Sequence, residues 1–150
     1  MVDVRTEITI TKELEQVAEY AMNPDSAPEW YDNIQSAVWQ TTPPLQKGSQ
    51  IAFKAQFMKK ELFYTYEVLE YDPPHKMVMK TVDGPFPMET TYEFIKKENE
   101  GTLMKLRNRG KPSGFSILFT PLMKMMMRKA NKKDLRKIKL ILEARQTKTT

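Results

Sequence analysis

Cysteine is absent from the 150 residues, which removes disulfide frameworks, thiol nucleophiles and thiolate metal sites together. Histidine is nearly absent too. A Ser/His/acid triad would have to use His75, the sole histidine, which follows two prolines and reads more simply as an exposed turn residue. Five glycines offer no phosphate-cradling loop, so the usual nucleotide sites are disfavoured. The longest nearly apolar stretch, Phe115 to Met123, is nine residues interrupted by Ser116, Thr120 and Pro121. That is far short of the roughly 20 needed to span a bilayer. The opening MVDVRTEITI lacks the apolar core of a secretory signal, so a cytoplasmic protein without metal or cofactor is the plain expectation.

What is present suffices for one core and hardly for two: 40% apolar residues in 150 predict a single domain over residues 1–150. The net charge of +5 conceals an asymmetry. Residues 1–110 carry 13 Lys/Arg against 17 Asp/Glu, whereas residues 111–150 carry 11 against 2.

Val2, Val4, Thr6, Ile8 and Ile10 alternate with polar neighbours, the period-two signature of a half-buried strand. Thr11 then offers an N-cap to a helix built on Leu14, Val17, Ala18 and Ala21, which Asn23-Pro24 stops. A second short helix is predicted over 26–33, with Pro28 in its first turn. Six strands follow, at about 35–42, 49–58, 61–71, 76–82, 87–97 and 102–109, joined by turns rich in proline, glycine and asparagine. Short sequential connections mean an antiparallel meander with one apolar, aromatic face. In the 61–71 strand both Tyr64/Tyr66/Val68 and Phe63/Leu69/Tyr71 compete for that face, and the first set is favoured because the second would bury Glu67.

From Phe115 onward, apolar residues recur at spacings of mostly three and four through Leu142, the stripe of a long helix. It begins either at Thr120, with Pro121 in its first position, or in a looser turn from about Ser116 that kinks there. Against the stripe runs a basic ridge from Lys124 to Lys139 in which Asp134 is the only acid.

Glu67 to Lys76 resembles the strand-to-turn signature of the polyketide cyclase/dehydrase and lipid-transport branch of the START-like, Bet v 1-like (SRPBCC) superfamily. Asn23 to Trp30, Gly48 to Phe53 and Asp134 to Glu143 are similar to its other recurring features, so the resemblance covers nearly the whole chain. It implies an α+β helix-grip fold: a curved antiparallel sheet of about seven strands, in the order β-α-α-β6-α, around the terminal helix. It also implies a hydrophobic cavity between sheet and helix that binds lipids, sterols, polyketides or other apolar molecules, with only some members acting as enzymes.

On this reading Phe53, Phe57, Tyr66, Met77, Met79, Tyr92, Phe94, Met104 and Leu106 of the sheet, with Phe119, Met123, Met126 and Met127 of the helix, are the candidate ligand contacts. Methionine suits an adaptable pocket, although the same residues would serve equally as ordinary core. Asp83–Pro87 and Lys111–Phe115 are candidate rims. Binding of a hydrophobic small molecule or lipid, as carrier or sensor, is favoured over catalysis. A cyclase or dehydratase would use cavity hydroxyls and charges, for which Tyr64, Tyr66, Tyr92 and Arg107, with Asn108, are the candidates. The ridge reads first as a solvated face. Its functional alternatives are an anionic membrane or acidic partner touching Lys129, Lys132, Lys133 and Arg136; nucleic acid is disfavoured because no aromatics interleave with the lysines. Monomer and homodimer both remain open.

Overall fold

A computed structural model describes residues 2–57, 59–111 and 120–145, apart from the side chains of Phe57 and Thr120. Strand β1 (Val2–Ile10) leads into helix α1 (Leu14–Met22), a 3-10 turn (Pro24–Ser26) and the single-turn helix α2 (Ala27–Trp30). Strands β2 (Ile34–Trp39), β3 (Gln50–Phe57), β4 (Lys60–Asp72), β5 (Lys76–Asp83), β6 (Met88–Lys97) and β7 (Gly101–Gly110) follow, and helix α3 (Thr120–Glu143) ends the fold. Seven strands form one antiparallel sheet in the order β1-β7-β6-β5-β4-β3-β2. The meander runs from β2 to β7, and β1 returns to pair with β7 along its whole length, Val2 opposite Gly110 and Ile10 opposite Thr102. The sheet curls as a half-barrel around α3.

Alternation sets the inner face. Met104, Leu106 and Asn108 of β7 are buried, whereas Lys105 is exposed and Arg107 is turned outward. On β4, Tyr64, Tyr66 and Val68 face inward as expected, but the competing register is not simply rejected. A bulge between Val68 and Glu70 shifts the pairing by one, so Leu69 stays exposed while Tyr71 returns to the core. Such a bulge bends the strand and sharpens its twist, which a closing sheet requires.

Two local expectations need correction. Thr11 does not cap α1: the helix starts at Leu14 with Glu13 before it and no capping side chain, and the Thr11 N–H donates instead to Glu143 Oε2 at 2.9 Å. Helix α2 ends at Trp30 rather than continuing to residue 33. Tyr31 takes an extended conformation, which stacks its ring on Trp30 at 4.0 Å and sends its hydroxyl toward Tyr92. The start of α3 at Thr120 agrees with the first of its two alternatives, and the other lies outside the described residues.

The core is uneven along α3. Leu135, Ile138 and Leu142 in its C-terminal half are fully buried against Ile10, Val17, Phe94, Met104 and Leu106. Lys139 Nζ reaches Thr9 O of β1 at 2.7 Å and Glu143 Oε2 at 2.6 Å, and the same carboxylate accepts the Thr11 N–H just past β1, so the end of α3 is tied to that corner of the sheet. These bonds, that to Lys139 foremost, hold the Glu143 carboxyl below its ordinary pKa. Glu143→Ala should lower the unfolding free energy by about 1 to 2 kcal/mol, read from the urea midpoint. Among the described residues the N-terminal half of α3 has no such clasp. Met123, Met126, Met127 and Ala130 are only half-buried there, and beneath them the sheet and helix stand apart.

Candidate functional site

That separation is a cavity of about 250 Å³, near the lower end of the range for ligand pockets. The inward side chains of β3 to β6 make its floor, notably Phe53, Tyr66, Val68, Met77, Met79 and Tyr92. Met123, Met127 and Ala130 of α3 make its roof. Met22, Pro24, Ala27 and Tyr31 close one end, and Phe86, Met88 and Leu62 lie toward the other. Aromatic rings brace one another across the floor: Phe53 meets Tyr66 edge-on at 5.7 Å, and Tyr64 lies 6.2 Å from both Tyr66 and Phe86. Gly84 lets the 83–87 turn approach Tyr64 so closely, since a Cβ there would fall 2.6 Å from the tyrosine ring.

Polar groups concentrate under the middle of α3. The Tyr31 and Tyr92 hydroxyls share a hydrogen bond. Burial raises both phenols above their ordinary pKa, so they act as neutral donors and acceptors; Tyr64 and Tyr66 are raised for the same reason. Asp134, 3% exposed, accepts the Asp32 N–H at 3.0 Å through Oδ1. Burial pushes its carboxyl up to about 6, and the bond from Asp32 only partly offsets this. One turn earlier Asn131, also buried, lines the same cavity, and its Nδ2 has no hydrogen-bond partner among the described residues. A buried amide donor left open costs free energy unless a ligand or water completes it. A second polar point lies on the sheet, where Thr90 Oγ1 donates to Asn108 Oδ1 at 2.7 Å. No group of three or more potential metal ligands occurs among the described residues.

Seven of the candidate contacts line the cavity: Phe53, Tyr66, Met77, Met79, Tyr92, Met123 and Met127. Phe94, Met104 and Leu106 face inward but are sealed beneath the C-terminal half of α3 as core. Met126 is half-buried outside the lining, and Phe119 and the Phe57 side chain lie outside the described residues. Of the candidate rims, Phe86 reaches the cavity from the first, and the second lies outside the described residues beyond Lys111. Arg107 is the clear correction among the proton-handling candidates. It lies on the outer face of β7 in a two-pronged pair with Asp3, Nε to Oδ1 at 2.9 Å and Nη2 to Oδ2 at 2.7 Å, while its neighbour Asn108 takes the inward position. Tyr64, Tyr66 and Tyr92 do converge on the cavity. Arg107→Ala should therefore leave apolar-probe binding unchanged and move the urea midpoint little, because a solvent-screened surface pair contributes little.

Tyr31, Asn131 and Asp134 were missed as site residues. The signal for Asp134 was its spacing: eleven positions after Met123 and seven after Met127, about three turns and two turns, it falls on the apolar stripe and not on the ridge.

Residues 1–145 match the sequence profile of the family described as polyketide cyclase/dehydrase and lipid transport. The chain belongs to that family. Among solved structures it resembles TTHA0849 from Thermus thermophilus, with TM-score 0.81, 20% identity and coverage of 95% of this chain and 97% of the other. It is also similar to the Zhui aromatase/cyclase from Streptomyces sp. R1128 (TM-score 0.78, 11% identity, 94% and 93% covered). A third neighbour is a START superfamily protein from Mycobacterium smegmatis (TM-score 0.73, 11% identity, 93% and 98% covered). A search of curated proteins finds no sequence match. At these identities the neighbours establish the START-like, Bet v 1-like fold, and family membership makes ligand binding or cyclase-type chemistry the two functional classes.

Proposed function

We propose that this protein binds an apolar small molecule or lipid bearing a hydroxyl or similar oxygen group, held in the cavity between the sheet and α3, as a carrier or sensor. The observation that carries this reading is the unpartnered Asn131 amide beside buried Asp134 in a cavity lined mainly by apolar and aromatic side chains. A ligand hydroxyl accepts from Asn131 and donates to the Asp134 carboxylate, while methionine and aromatic side chains adapt to the hydrocarbon. Asn131→Leu, close in volume, tests it. Affinity for an apolar alcohol such as 1-naphthol should fall about tenfold, as expected for one buried hydrogen bond, while affinity for naphthalene holds or rises. The empty variant should also be more stable, by about 1 kcal/mol, because an open buried donor is gone. Equal loss for both compounds would reject the polar anchor.

A second reading, a cyclase acting on a polyketide-like chain, is favoured by Asp134, whose pKa near 6 suits proton transfer close to neutrality, with the Tyr31 and Tyr92 hydroxyls beside it. Under that reading Asp134→Asn abolishes turnover of a short poly-β-ketone while leaving its binding intact. Substrate bound but unchanged by the native protein would rule it out.

A further inference from the structure

The solvent face of α3 has no role in the cavity, and it sets exposed apolar side chains among its cations. Met125, Arg128, Lys129, Lys132 and Arg136 line one shallow groove along it, at spacings that place them on a single face. Leu122 precedes them and Leu140 follows on the same side, and these apolar chains are strongly exposed: Met125 at 62%, Leu140 at 70% and Leu122 at 48%. Among the described residues Lys124, Arg128, Lys129, Lys132, Arg136 and Lys137 form no ion pair; Lys133 pairs with Asp32 and Lys139 with Glu143. Both acids of the helix are turned elsewhere, Asp134 into the cavity and Glu143 onto the Thr11 N–H just after β1.

We infer that this face of α3 docks on an anionic lipid surface, with the cations set against lipid phosphates and Leu122, Met125 and Leu140 entering the boundary between headgroups and acyl chains. A straight helix lies flat on such a surface, and long basic side chains reach phosphates while their stems stay among apolar groups. A nucleic acid would satisfy the charges but leave the leucines and Met125 exposed, and no described aromatic side chain on α3 offers a base a stacking partner. The inference stands on charge and exposure alone. If the cavity also carries a ligand, docking brings the half-buried roof at Met123 and Met127 within one helix diameter of the lipid.

Co-sedimentation with phosphatidylcholine vesicles, with and without phosphatidylserine, tests it. The protein should pellet only with the anionic vesicles and be released by salt. K129E/K132E/R136E should weaken partitioning by more than about tenfold, and M125S/L140S, which changes no charge, should weaken it while leaving its salt dependence unaltered. K96E/K105E, the same kind of change on exposed lysines of β6 and β7, should reduce it far less. All of these positions are exposed, and circular dichroism confirms that the variants remain folded. Equal losses in the ridge and control variants would mean bulk charge attraction and overturn the docking face. Indifference to M125S/L140S, with equal competition by duplex DNA, would make the face a general polyanion binder and overturn the lipid assignment. Absence of pelleting by the native protein would overturn it outright.

Discussion

Ala130→Trp should lower affinity for an apolar fluorescent probe such as anilinonaphthalene sulfonate by about fiftyfold or more while leaving the fold intact. Ala130 is a half-buried roof residue whose side chain borders the cavity rather than packed core, so an indole grows into open space instead of against neighbours. The space is about 250 Å³, and an indole occupies a large share of it. A probe denied about 100 Å² of apolar contact loses about 2.5 kcal/mol, which is the expected factor. Met127→Trp on the preceding turn should act similarly. Leu140→Trp, on the exposed face of the same helix, should leave binding untouched and so separates occlusion from any general effect of a tryptophan on α3. Melting curves of the three variants should lie within a few degrees of the parent. Full probe affinity in Ala130→Trp would place the probe elsewhere on the molecule.

Asp134→Asn should raise stability at pH 7 by about 2 to 3 kcal/mol and leave it unchanged near pH 3. The carboxyl is buried, and burial lifts its pKa from 3.8 toward about 6. Below about pH 3 it is protonated in both folded and unfolded chains and contributes nothing to the pH dependence. Between about 4 and 6 the unfolded chain has released its proton and the folded one has not, so each rise in pH favours unfolding. Above 6 the folded protein holds a buried carboxylate, and the full penalty of about two pKa units applies. Asparagine keeps an acceptor for the Asp32 N–H without the charge. Asp3 and Glu143, whose pKa values are lowered by Arg107 and Lys139, act in the opposite sense and cancel between the two proteins. Melting temperatures of parent and variant should therefore converge near pH 3 and diverge toward pH 7, by roughly 4–12 °C at the latter. Parallel curves would mean that Asp134 ionises without penalty and that the cavity under α3 is wetter than its lining implies. A carboxylate retained at that cost is what a ligand-binding or proton-transferring role would preserve.

The strands and the long helix were legible because each has a clean period, two for β1 and β7 and about 3.6 for α3. The site was only partly so. Inward parity put Met77, Met79, Phe94, Met104 and Leu106 on one face, but which of them meet the cavity depends on where α3 descends onto the sheet, and side-chain periodicity carries no such information. The same alternation that makes Met104 and Leu106 inward also turns Arg107 outward and Asn108 inward, so that error could have been avoided from the residues alone. The bulge after Val68 could not, since its effect on Tyr71 arises from pairing with β5. Asp134 stands out in the sequence only as the single acid within the basic ridge, whereas its spacing from Met123 and Met127 marks the inner stripe. Tyr31 depended on a helix ending one residue before it, and the ends of short helices are set by the packing they permit, here the stack on Trp30 and the bond to Tyr92.

Native mass spectrometry of the protein purified gently from its own source, alongside Ala130→Trp prepared identically, is the most direct test of a ligand cavity between sheet and helix. The expected result is a single small apolar molecule retained by the native protein, released on solvent denaturation and missing from the variant. A bare mass for the native protein, together with no saturable uptake of naphthol or of the fluorescent probe, would contradict it.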